Sequence, residues 1–161
     1  MRKAKIDPSF MHFTDGVKGG EFLPIVLTGH LVVEALLVDL IQLRRPGDRA
    51  WRMNFKGKVD ACVGYGFISA TKAPLYLRLD DIRNDFAHTL GHELVFDDAF
   101  QLVKDMAAVG FDFSDDTIHL DRAKSEEWYG IWGCLIEALN DFYFDLAWIL
   151  HDNGGPDRLA G

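Results

Sequence analysis

Cysteine is scarce in this chain, with two residues, Cys62 and Cys134, among 161. No CxxC pair or other metal-ligand spacing occurs, which excludes a cysteine zinc site. The two thiols read as buried and free in a reducing cytosol. An excess of basic residues is also missing. Seventeen Lys and Arg against twenty-five Asp and Glu leave a net charge of −8, which excludes a broad electrostatic footprint on nucleic acid and restricts any such contact to a local patch. The opening MRKAKIDPSF carries basic residues without an apolar run behind them, so it is not read as a signal peptide. Internal repeats and low-complexity tracts are absent too, and there is almost no strand signal. The aspartates of GFDFSDDTIHLDR (110–122) lack the spacing and glycine of a calcium loop.

What is present is apolar and helical. Hydrophobic residues make up 48% of the chain and charged residues 26%, with twelve phenylalanines and four tryptophans, enough for one domain with a sizeable core. The run FLPIVLTGHLVVEALLVDLIQL (22–43) is long enough to span a bilayer. It contains His30, Glu34 and Asp39, however, and one central carboxylate costs roughly 2.5–3.5 kcal/mol on insertion. A buried central helix and a soluble, cytoplasmic protein without membrane contact are the expectation.

Five helices are expected, at about 22–43, 52–64, 72–90, 96–109 and 124–151, giving an all-α bundle. The first ends at Pro46 and Gly47, and Gly64 and Gly66 close the second. Ser69 or Thr71 caps the third, with Pro74 in its first turn and Gly91 past its end. Acidic residues open the fourth, as the helix dipole favours. In the last helix Trp128, Trp132, Leu135, Leu139, Phe142, Leu146 and Ile149 keep a 4-3 spacing, the pattern of a core face or of an aromatic face docked on a second subunit. Residues 1–20 are expected as a flexible arm, 21–152 as the helical domain, 110–122 as a loop with room for a short extended piece, and 153–161 as a frayed tail.

The stretch DDIRNDFAHTLGH (80–92) concentrates the polar chemistry. On a helical wheel Leu75, Leu79, Ile82 and Phe86 form the core stripe. Asp81, Asn84 and His88 make a polar row opposite, and Arg83 sits on the flank. His30 and Glu34, four apart in the first helix, share a face, as a satisfied buried pair or as support for a site. Around the first turn Arg44, Arg45, Arg49, Arg52, Lys56 and Lys58 cluster, either as a solvated face or as a phosphate-facing patch. His88 and His92 are also four apart, but no further ligand is evident, and neither metal nor cofactor is expected.

The order Arg83-Asn84-Asp-Phe-Ala-His88 is similar to the RX4–6H motif of the HEPN superfamily, all-α domains that commonly dimerise. HLVVEALLVDLI (30–41), FKGKVDACVGYGFIS (55–69) and LRLDDIRNDFAH (77–88) together resemble its mannitol operon repressor-like (MltR-like) branch over roughly residues 22–109. The resemblance implies a metal-independent endoribonuclease site at a homodimer interface. In it Arg83 would hold the scissile phosphate, His88 would act as general acid or base, and Asn84 would orient one of them. It equally implies a non-catalytic regulator of transcription working through protein contacts, since no helix-turn-helix or other sequence-specific DNA-binding motif is present. The partners implied are a second copy of the chain, an RNA substrate, and a protein such as an antitoxin or regulatory target.

Overall fold

The computed structural model describes residues 22–89 and 92–160. The N-terminal arm of residues 1–20 and the third helix's end at Leu90 and Gly91 lie outside the described residues. All the regular structure described is helical: α1 Phe22–Arg44, a 3-10 turn Arg49–Arg52, α2 Phe55–Gly64, α3 Ala73–His88, α4 Phe96–Ala108, α5 Thr117–Leu120, α6 Arg122–Trp128 and α7 Gly130–Asp152. The all-α class is therefore observed, with seven α-helices in place of the expected five.

α1 is apolar on almost every side, and a helix of that kind must be covered all round. It runs through the middle of the bundle against α7, α2 and α3. Its length and hydropathy would suffice to cross a membrane, but 67% of its most apolar window is buried within the fold; it is a core helix. Gly29 lets α1 approach α7 closely, since a Cβ there would fall 2.8 Å from Leu139 Cδ2.

The local signals explain where the other helices start. Asn54 caps α2 by accepting from Gly57 N at 2.7 Å, and Ser69 Oγ accepts from Lys72 N at 3.2 Å just ahead of α3. α4 buries one clean stripe, Phe96, Ala99, Leu102, Val103 and Met106, and carries Asp97 and Asp98 in its first turn.

Two departures have physical causes. The segment 110–122 holds a helical turn where a loop was expected: Asp115 Oδ1 accepts from Thr117 N at 3.0 Å and starts the single turn of α5. The last helix is broken at Tyr129, where Gly130 adopts φ +63°, a conformation open to glycine at little steric cost. Trp128 thus belongs to α6, is 58% exposed, and drops out of the expected stripe, while Leu135, Leu139, Phe142 and Leu146 are buried inside one chain. The stretch after α7, expected as a frayed tail, makes two contacts with the bundle. Tyr143 donates its hydroxyl to Arg158 O at 2.6 Å, and Arg158 pairs with Asp39 on α1 at 3.1 Å.

Candidate functional site

α3 lies on the bundle as its periodicity requires. Leu75 and Leu79 are buried, Ile82 and Phe86 pack half-buried on the core, and Asp81 and His88 are exposed. Arg83 and Asn84 are half-buried at the edge of the packed face. Arg83 Nη1 donates to Asn84 Oδ1 at 2.8 Å. Around a helix Asn84 stands about 100° from Arg83 and about 40° from His88. The bond therefore draws the guanidinium toward the row that carries the imidazole. Among the described residues Arg83 has no carboxylate partner and the His88 ring no hydrogen bond.

Two carboxylates beside His30, Asp80 on α3 and Glu34 on α1, are taken by other groups. Asp80 Oδ1 accepts from His30 Nε2 at 2.7 Å. Glu34 Oε1 accepts from Lys58 Nζ at 2.6 Å, and Lys58 also donates to Met53 O at 2.6 Å. His30 is 4% exposed and Lys58 is completely buried. Burial lowers the His30 pKa, outweighing the hydrogen bond donated to Asp80, and the charge of Arg83 pushes the same way. A neutral imidazole bonded to a carboxylate carries its proton on the bonded nitrogen, here Nε2. That leaves Nδ1 facing Glu34 Oε2 at 4.0 Å, and the ring stacks on Phe55 at 4.4 Å between centroids. His30 and Glu34 do share a face, but each is satisfied mainly by another element.

The basic cluster divides. Lys58 is no part of a phosphate-facing surface, because its ammonium is the buried partner of Glu34. Lys56 pairs with Asp60 at 2.5 Å. Arg44, Arg45, Arg49 and Arg52 remain exposed. His92 packs edge-on against Phe86 at 4.8 Å. Among the described residues no three His, Cys, Asp or Glu side chains come together where a metal ion could be held.

A second polar region went unread in the sequence. Asp112, Asp141 and Asp145 line a hollow of about 320 Å³ with Phe144 and Trp148, and Glu137 and Asn140 line its neighbour. Asp145 is satisfied by Lys72 Nζ at 2.7 Å and by the Tyr76 hydroxyl at 2.5 Å. Asp141 Oδ2 and Asn140 Oδ1 are buried without a partner among the described residues. Burial, followed by the charges of Glu137, Asp112 and Asp145, pushes the Asp141 carboxyl up to about 7. The available signal was the i, i+4, i+8 row Glu137, Asp141, Asp145 in a mostly apolar helix.

Comparison of the chain with protein-family models, with curated proteins and with solved structures gives no match.

Proposed function

We propose that this protein is a metal-independent endoribonuclease of HEPN-like type, cytoplasmic, whose site is completed by a second copy of the chain. The observation that carries the reading is the state of Arg83. Three aspartates share its helix, yet its guanidinium pairs with none of them and is held by Asn84 instead. A guanidinium fixed by a neutral neighbour keeps its full charge and its remaining donors for a phosphate. The order of residues in IRNDFAH, with its resemblance to the HEPN motif, supplies the second support.

The chemistry follows from the side chains. Neutral His88 takes the proton of an RNA 2′-OH, whose oxygen attacks the adjacent phosphorus. Arg83 stabilises the negative charge gathered on the phosphoryl oxygens. The bond from phosphorus to the 5′-oxygen breaks, and that oxygen takes its proton from a protonated His88 of the partner subunit. The products end in a 2′,3′-cyclic phosphate and a 5′-OH. One histidine cannot start as both base and acid, so a two-fold pair accounts for both proton transfers.

The exposed carboxylates Asp81 and Asp85 beside Arg83 favour a second reading, a non-catalytic MltR-like regulator acting through protein contacts, since they repel a phosphate backbone. Cleavage of single-stranded RNA in EDTA separates the two. The nuclease reading expects roughly 100-fold or greater losses in His88→Ala and Arg83→Ala. A folded wild-type protein that cleaves nothing leaves the regulatory reading.

A further inference from the structure

The turn after α1 holds a positive patch that the proposed active site does not use. Residues 44–52, RRPGDRAWR, contain four arginines and one carboxylate, Asp48, in a chain whose net charge is −8. Arg44, Arg45, Arg49 and Arg52 are all exposed, and among the described residues none of them makes an ion pair. The C-terminal dipole of α1 accounts for cations at Arg44 and Arg45. It does not account for Arg49 and Arg52, which lie beyond the helix. At three residues per 3-10 turn, these two project to the same side.

The patch is built on fixed structure. Ala50 in the middle of the 3-10 turn is 2% exposed and anchors it in the core. Gln42 Nε2 donates to Gly47 O at 2.8 Å and closes the preceding bend, where Gly47 takes φ +121°. Aromatic rings run through the positive charge. Arg44 lies 4.8 Å over the ring of Phe67, Phe67 is 6.3 Å from Tyr65, and half-buried Tyr65 lines a notch with Arg45 and Arg49. Guanidinium groups grip phosphate oxygens in pairs, and an aromatic face beside them stacks a splayed base; together they recognise single-stranded nucleic acid.

We propose that Arg45, Arg49 and Tyr65, with Arg44 and Arg52 flanking, form a docking surface for the backbone and bases of single-stranded RNA. The inference rests on the ribonuclease reading and deepens it by assigning where the substrate is held outside the reacting phosphate. The patch lies fourteen residues along α1 from His30, roughly 21 Å at 1.5 Å per residue, and His30 bonds Asp80, which stands three residues before Arg83 on α3. A strand of several nucleotides would be needed to engage both.

The test is fluorescence anisotropy of a labelled 15-nucleotide oligouridine in EDTA over a salt series, with wild type, Arg45→Gln/Arg49→Gln, Arg45→Lys/Arg49→Lys and His88→Ala. The glutamine variant is expected to bind roughly tenfold more weakly, with the slope of log Kd against log salt reduced by about 1.4, for two single-strand phosphate contacts. The lysine variant retains the slope and loses less affinity, which separates charge from folding. Affinity unchanged in the glutamine variant overturns the patch, whether or not the protein cleaves RNA. Equal affinity for duplex DNA of matched charge also overturns it, as general polyanion adsorption. Binding that depends on Arg45 and Arg49, with no cleavage by wild type, keeps the patch and removes the nuclease.

Discussion

Asp80 is held by His30, Nε2 to Oδ1 at 2.7 Å, and that contact keeps the carboxylate from Arg83 three residues further along α3. Side chains at i and i+3 are neighbours on a helix, so a released Asp80 would become the natural partner of Arg83. His30→Ala is accordingly expected to reduce RNA cleavage several-fold although His30 touches no substrate. The double variant His30→Ala/Asp80→Ala should recover much of the loss. Equal activities for the single and double variants, at matched melting temperature, would show that Asp80 does not compete for Arg83.

Lys58 and Glu34 supply a stability prediction. Lys58 is wholly buried against a carboxylate that is 19% exposed. Removing the ammonium alone strands Glu34, so Lys58→Met should cost roughly 3 kcal/mol in urea unfolding. Lys58→Met/Glu34→Leu should be more stable than the single variant, because no buried charge is left unpaired. A double variant weaker than the single would contradict this.

The hollow around Asp141 predicts a pH dependence. An unfolded aspartate titrates near 3.9, whereas burial and neighbouring carboxylates raise folded Asp141 to about 7. Across that window the folded state holds a proton that the unfolded state has lost. The Asp141 contribution is therefore greatest in acid and is lost as pH rises through about 7. Glu137, raised by burial, acts in the same direction. His30 acts oppositely: its lowered pKa costs stability as pH falls below the ordinary histidine value. Asp141→Asn should raise Tm at pH 8 relative to pH 5 by about 2–4 °C, roughly 1 kcal/mol after solvent screening. An equal shift at both pH values would refute the raised carboxyl.

Packing of α1 on α7 is tested at Gly29. Three Leu139 side-chain atoms lie within 3.4 Å of where a Cβ would stand, and Leu139 is itself buried. Gly29→Leu should destabilise by roughly 2–3 kcal/mol. Gly29→Leu/Leu139→Ala should regain part of that, as read by thermal unfolding.

Much of the fold was legible because apolar periodicity is strong where a helix buries one stripe, as in α3 and α4, or most of its surface, as in α1. The end of α1, the start of α4 and the core stripe of α3 follow from Pro46, Asp97 with Asp98, and Leu75 with Leu79. The break at Gly130 was not legible, since the 4-3 spacing of apolar residues continues through it and only backbone conformation records the turn. α5 was missed because one turn is too short to display a period. Lys58 looked like a surface cation because its partner Glu34 lies twenty-four residues away. Asn84 as the holder of Arg83 was within reach of the sequence, being the next residue. The binding of Asp80 by His30 from another helix was not, since fifty residues separate them.

The most direct test is the chemistry of the cut ends. Wild-type protein incubated with single-stranded RNA in EDTA should yield 2′,3′-cyclic phosphate and 5′-OH termini by mass spectrometry, and Arg83→Ala should yield neither. Termini of 3′-OH and 5′-phosphate, or the same cyclic products undiminished in Arg83→Ala, would contradict an Arg83–His88 site.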